Sequence, residues 1–271
     1  MKKTAKKEKT VLVTGAFGGM GRATVAHFSE LGWRVFALDL AGECDAENVI
    51  AVHADVTDEE SLARAADEVR AKTVRLDAIV HFAGIYMLDS LLEIKTESFD
   101  KIMDINLRGA FLVNKLFASL LSSGSRILIT TSELAPLDPL PFTGVYAVSK
   151  AALDKYAYSL AMEMQLLGIS VSVLRAGAVS TDMLGVSTTA LDRFCENTKL
   201  YTCNAARFKS IVEGVEAKNV PPQRIAVKCE KILLSRRVRF AYSINRNPLL
   251  LILNALPKRL QLWVIRKILK K

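Results

Sequence analysis

Short apolar blocks alternate with segments of helical period along most of this chain. Val11-Leu12-Val13 stops at a glycine-rich turn, and Ala23, Val25, Ala26, Phe28 and Leu31 then recur at helical spacing, which reads as strand, tight turn, helix. The alternation continues with strands at Arg34 to Leu38 and Val49 to His53, a helix from Asp58 to Lys72, and a strand from Leu76 to His81. Thr57-Asp58-Glu59-Glu60 reads as a capping box in which Glu60 reaches back to the amide of Thr57. A helix from about Ser98 to Leu121, a strand from Arg126 to Thr130, a helix from Thr143 to Leu167 and a strand from Ser170 to Leu174 follow. Repeated βα units of this kind predict an α/β fold, a doubly wound parallel sheet of the Rossmann type with helices on both faces.

Beyond Thr181 the pattern loosens. Residues 182–220 mix small, polar and aromatic side chains, as a helical lid over a ligand would, and a surface insertion would look similar. Pro221-Pro222 opens another helix and Arg239 to Tyr242 reads as a last strand. With no internal repeat or linker, residues 10–242 read as one domain, preceded by a basic solvated tail (1–9). An amphipathic basic extension (243–271) follows. In it, Leu249 to Leu253 is continuously apolar and reads as buried against protein. After Pro257, Leu260, Trp263, Val264, Ile268 and Leu269 recur at helical spacing opposite Lys258, Arg259, Arg266, Lys267, Lys270 and Lys271. That pattern fits an interfacial helix on anionic lipid, and equally a helix that completes the core or meets another subunit.

Composition narrows the picture. Of the 271 residues 51% are apolar, yet no run reaches the roughly 18 needed to cross a bilayer. The net charge of +9 gathers at the two ends and no groove-reading motif accompanies it, which argues against a nucleic-acid partner. Cys44, Cys195, Cys203 and Cys229 are few and irregularly spaced, as free thiols in a reducing cytoplasm would be. His27, His53 and His81 are scattered, so no metal site is expected.

The chemistry begins at Thr14-Gly15-Ala16-Phe17-Gly18-Gly19-Met20-Gly21, which lies between the first strand and the first helix. Gly15 permits a sharp turn, Gly19 lets backbone approach a pyrophosphate, and Gly21 lets the helix pack closely on the sheet. Asp39 ends the second strand, where a carboxylate accepts hydrogen bonds from the ribose hydroxyls of NAD and repels the 2′-phosphate of NADP. NAD is the expected cofactor, with Arg22 as the one cation near enough to admit NADP. Tyr146 and Lys150, four apart on a predicted helix, share a face, and an adjacent ammonium favours phenolate over phenol. Tyr146 then suits proton exchange with an alcohol or ketone, and Ser132 suits a hydrogen bond to the substrate oxygen. Thr131 is the alternative one residue earlier.

These motifs together resemble the short-chain dehydrogenase/reductase family, from about Thr10 to Thr181. The resemblance rests on Thr14-Gly15-x-x-x-Gly19-x-Gly21, Asp55-Val56, Ala83-Gly84, Asn106, Ser132, Tyr146-x-x-x-Lys150, and Gly177 with Thr181. It implies Tyr146 as acid/base, Ser132 as substrate-positioning group, Lys150 on the ribose and Asn106 on a proton-relay water. It also implies cofactor contacts at Phe17, Gly18, Met20, Asp55, Val56, Ala83, Gly84, Gly177, Val179 and Thr181. Phe82 stands where the family usually has asparagine, and Ala176 where it usually has proline, so a polar tie between strand ends is missing at Phe82. A non-catalytic dinucleotide-binding regulator is the rival reading, which loss of Tyr146 or Lys150 would have favoured.

The residues expected around the substrate, Leu134, Phe142, Met183, Leu184 and Phe194, are apolar. They suit a small-molecule secondary alcohol or ketone that is bulky and apolar. The extension is loosely similar to the ends of steroid- and retinol-type dehydrogenases, which implies a hydroxysteroid first and a retinoid or long-chain carbonyl second. A homodimer or homotetramer is expected, in the cytoplasm, with peripheral contact at a membrane surface through the extension.

Overall fold

The computed structural model describes residues 8–214 and 219–270, and their side chains except at 182–188, 213 and 214. Seven parallel strands form one sheet in the order β3-β2-β1-β4-β5-β6-β7. They are β1 (Thr10–Thr14), β2 (Arg34–Asp39), β3 (Val49–His53), β4 (Ala78–His81), β5 (Arg126–Ser132), β6 (Ser170–Ala176) and β7 (Ala241–Ile244). Both faces are covered, so the central strands are largely apolar and β1 and β4 are wholly buried.

On one face α1 (Gly19–Glu30) and α8 (Pro222–Leu233) bury Val25, Phe28, Ile225, Cys229 and Ile232. On the other, α2 (Glu59–Lys72), α4 (Gly109–Phe117) and α5 (Gly144–Met164) bury Leu62, Val69, Leu112, Phe117 and Leu153. The strand order reverses between β1 and β4, and their carboxyl ends, paired at Thr14 and His81, flank the crevice where such sheets bind ligands.

Several boundaries depart from expectation. The capping box is not used. Asp58 caps α2 by accepting from Glu60 N at 2.9 Å, while Thr57 turns back to Asp55, whose Oδ1 accepts from its amide at 2.8 Å and its hydroxyl at 2.7 Å. Asp58 is a shorter and better cap, so Thr57 is free to close the preceding turn. The helix expected from Ser98 to Leu121 is α3 (Thr96–Met103), a π-helical turn (Asp104–Arg108), then α4 and a 3₁₀ turn. The last strand starts at Ala241 rather than Arg239, because the carbonyl of Arg239 is taken by the Ser172 hydroxyl (2.8 Å) and pairing begins at Val173↔Ala241. The lid holds two helices, α6 (Asp182–Asn197) and α7 (Thr202–Gly214).

In the extension, α9 (Pro248–Ala255) buries no residue, contrary to the expectation that Leu249 to Leu253 lies within protein. Apart from Asn254 this eight-residue helix is apolar, so packing by one side leaves Leu249 and Ile252 in solvent. The helix after it, α10 (Lys258–Leu269), buries Gln261 and Leu269 and leaves Trp263, expected on an apolar face opposite the cations, exposed.

Candidate active site

A groove of about 1010 Å³ opens at the strand ends, as large as the ligand pockets of about 300–1,000 Å³. Its walls include Gly15, Gly18 to Gly21, Asp39, Asp55, Val56, Ala83, Gly84 and Thr181, together with Ile85, Tyr86 and Met87. Three glycines are sterically required. Gly15 has φ +64°, and a Cβ there would lie 2.6 Å from Ala83 N. A Cβ on Gly19 would lie 2.6 Å from Cβ of Thr181, and one on Gly21 would lie 1.9 Å from the Gly15 carbonyl oxygen. No side chain caps α1 and no acid occupies its first turn, so its leading amides face the groove without a protein anion. These features fit the pyrophosphate of a dinucleotide.

Asp39 accepts from Phe17 N (2.9 Å) through Oδ2 and from Leu40 N (2.8 Å) through Oδ1, which fixes its carboxylate at the groove edge. Arg22 donates to the Phe17 carbonyl at 3.2 Å. Phe17 itself lies outside the groove wall, with its ring against Gly42, where a Cβ would lie 2.4 Å from the ring. Gly177 and Val179 are also outside that wall. Gly177 packs against Asn245 and Glu133, and Val179 is buried and bridged to Val220.

The strand ends are tied despite Phe82, which is buried in the core. Thr14 supplies the tie, its Oγ1 accepting from Ala83 N at 3.3 Å. Asn106, in the π-helical turn, makes a second. Its Oδ1 accepts from Ile85 N (2.8 Å), and its Nδ2 donates to the Ile85 carbonyl (3.0 Å) and to Ser149 Oγ (2.9 Å). π turns recur at functional sites because the extra residue re-aims a side chain, here toward the loop after β4. A Cβ on Gly84 would lie 3.0 Å from Asn106 Oδ1 and 3.2 Å from Lys150 Nζ, so both groups converge on that glycine.

Strand alternation decides between Ser132 and Thr131. Thr131 points away, to Asp154 (3.2 Å), which also holds Arg175 through contacts of 3.0 and 2.7 Å. Ser132 faces Tyr146, and their hydrogen bond pulls the phenol pKa down while burial, the larger effect, pushes it up to about 12. Burial brings Lys150 down to about 8. Its ammonium lies 5.9 Å from the Tyr146 ring centre and donates to the Thr130 carbonyl at 3.4 Å. The expected lowering of Tyr146 by a neighbouring ammonium is therefore not what this structure has: distance weakens that attraction and desolvation outweighs it.

Of the expected substrate residues, Leu134 is half-buried and gives its amide to Ser132 Oγ at 3.2 Å. Phe142 and Phe194 stack on each other (centroids 4.5 Å apart) in an apolar cluster with Phe208, Leu191 and Leu269. They line the lid's own core. The side chains of Met183 and Leu184 lie outside the described residues.

The family model described as short chain dehydrogenase matches residues 9–192. The chain belongs to the short-chain dehydrogenase family. Versicolorin reductase 1 of Aspergillus parasiticus is 33% identical over 190 residues, 65% of this chain and 71% of that one. The NAD-dependent glycerol dehydrogenase of Listeria innocua is 27% identical over 184 residues, 65% of this chain and 72% of that one. A short chain dehydrogenase family protein of Francisella tularensis superposes with a TM-score of 0.72 at 25% identity, covering 88% of this chain and 97% of its own. As a short-chain dehydrogenase/reductase this is an NAD(P)-dependent enzyme built on a nicotinamide dinucleotide fold, which displaces the regulator reading.

Two groups at this dehydrogenase's site escape a reading of the sequence. Tyr86 lies 4.9 Å from Tyr146 between ring centres, and its own pKa is raised to about 12 by burial. Glu133, next to Ser132, is buried, its pKa raised by desolvation, and accepts from Asn247 N at 2.6 Å. Neither sits in a sequence pattern that signals it, since each is defined by a partner distant in the chain.

Proposed function

We propose that this enzyme oxidises a bulky, apolar secondary alcohol, or reduces the matching ketone, with Tyr146 exchanging the proton and NAD preferred over NADP. The convergence of Ser132, Tyr146 and Lys150 beside the dinucleotide groove carries the reading. A bound nicotinamide dinucleotide supplies the hydride chemistry. Tyr146, a neutral phenol at pH 7 in this setting, holds the proton a reduced carbonyl oxygen would need. Ser132 donates to that oxygen, Asn106 holds the backbone after Gly84 through Ile85, and Lys150 would hold the ribose of a bound dinucleotide. Asp39 supports NAD, since its fixed carboxylate would meet a 2′-phosphate as a like charge.

The substrate reading draws support from Tyr86, Leu134 and the aromatic cluster behind them, which offer a second phenol and apolar surface. A hydroxysteroid is the first choice, and a retinoid or long-chain carbonyl the second. Exposed Phe111 on α4, and Tyr158 and Met162 on α5, support a homodimer or homotetramer. Free thiols support a cytoplasmic setting, with the extension touching a membrane surface.

Reduced-cofactor production measured over alcohols of increasing size, with NAD and NADP side by side, tests both halves. Bulky apolar alcohols and NAD should give the highest kcat/KM, and Asp39→Ala should narrow the gap between cofactors. Better use of NADP by the unaltered protein would overturn the cofactor assignment, and preference for small polar alcohols the substrate.

A further inference from the structure

We infer that the outer face of α10, together with the exposed side of α9, docks on an anionic lipid surface. From Lys231 to Lys271 the chain carries eleven Lys and Arg and no Asp or Glu. Asp138 and Glu133 answer Lys258 and Arg246, and the remaining excess of positive charge suits an anionic partner from outside the chain. The helix pair is held to the body by its inner side and ends. Lys258 pairs with Asp138, Asn254 Oδ1 accepts from Asp138 N at 2.5 Å, and the carbonyls of Leu269 and Lys270 accept from Asn204 (2.7 Å) and Arg207 (2.8 Å). Gln261 and Leu269 are buried, and Val264 and Ile265 are half-buried.

That anchoring fixes what points outward. Trp263 is 56% and Leu262 71% exposed, and at 100° per residue Arg259, Arg266 and Lys267 fall on the same side as Trp263. Lys267 Nζ sits 5.9 Å over the Trp263 ring. On α9, Ile252 is 63% exposed. A tryptophan ringed by cations, with aliphatic side chains at the margins, suits the headgroup boundary, where the indole body is buried and the charges meet lipid phosphate. A second copy would bring the same cation-rich, acid-free face against itself, so like charges oppose that occupant. The inner end of α10 also meets the lid cluster through Leu269, which packs with Phe194, Phe208 and Leu88, beside Tyr86. Tyr86, packed against that cluster, lies 4.9 Å from Tyr146 between ring centres. The docking thus deepens the apolar-substrate reading, and rests on it for its purpose alone, since an apolar substrate would be drawn from the surface on which the enzyme sits.

Intact protein mixed with phosphatidylcholine vesicles, with and without phosphatidylglycerol, tests this without substrate. Binding is expected to the anionic vesicles at low salt and to be lost on neutral vesicles and at high salt. Trp33 is buried and Trp263 is not, so vesicles should shift the emission to the blue, and Trp263→Phe should abolish the shift. Replacing Arg259, Arg266 and Lys267 together by Ala should weaken binding about fivefold per cation, on the order of 100-fold in all, with turnover of a small soluble alcohol kept. No binding to anionic vesicles at low salt would overturn the proposal. So would unchanged binding by the triple variant, or an emission shift that follows protein concentration without vesicles, which would mark a second copy on this face. Lipid binding by an enzyme that turns over only small polar alcohols would overturn the substrate reading and leave this one standing.

Discussion

Around the dinucleotide groove, position is fixed by backbone against backbone. A single Cβ at Gly21 would drive into the Gly15 carbonyl, and one at Gly15 into Ala83 N. Around the lid and the C-terminal helix pair, position is fixed by side chains that meet across great sequence distance: Asp138 with Lys258, Glu133 with the Asn247 amide, Leu269 with Phe194 and Phe208. The first kind of construction tolerates almost no change and serves a cofactor of constant shape. The second is adjustable, and it stands where the substrate enters. The contrast teaches that one fold keeps a fixed reaction and varies its substrate by placing the two tasks in regions of different rigidity.

The comparison can be broken at its centre first. Tyr146→Phe removes the exchangeable proton and leaves the ring in place, so turnover should fall about 10²–10⁴-fold while dinucleotide binding, measured by calorimetry, is retained. Near-normal turnover would mean that the proton moves elsewhere.

Lys150 sharpens it next. It is buried with its pKa lowered to about 8 from an ordinary 10.5, so within that window the unfolded chain holds more protons and stability rises with pH. Lys150→Met should stabilise the dinucleotide-free protein by roughly 2–4 kcal/mol near neutral pH, the gain fading as pH climbs past about 10, while turnover is lost. Thermal unfolding at a series of pH values reads this, and a variant less stable at every pH would contradict it.

The smallest effect belongs to the adjustable region. Ending the chain after Pro257 removes Leu269 from the lid cluster, where burial of one leucine is worth about 1.5–3 kcal/mol. Bulky apolar substrates should then lose roughly tenfold in kcat/KM, small ones less, and dinucleotide affinity should change by no more than about twofold. Equal losses on small and bulky substrates would remove the distinction between the regions.

The same division separates what was legible in the chain from what was not. Val49 to His53 is a strand with the predicted ends, and the strand, turn and helix around Gly15 to Gly21 follow from residues adjacent in sequence. The groove-lining residues Asp39, Asp55, Val56, Ala83, Gly84 and Thr181 stand at strand ends that the alternation already marked. The π turn at Asn106 was not legible, because Asn106 has its partners at Ile85 and Ser149, far along the chain in either direction. Glu133 and Tyr86 escaped for the same reason.

By itself the sequence determined the order of βα units, the glycine turn and the Tyr146/Lys150 spacing, since each depends on local sterics and on the period of apolar side chains. Only the tertiary structure decided that Ser132 rather than Thr131 faces Tyr146, and that Lys150 rests on Thr130 with its charge weakened by burial. It also decided which side of α10 faces out. A helix of mixed apolar and basic residues offers more than one face for burial, and the choice fell to contacts made elsewhere: Asp138 on Lys258, Asn204 and Arg207 on the last carbonyls, and the aromatic cluster that received Leu269.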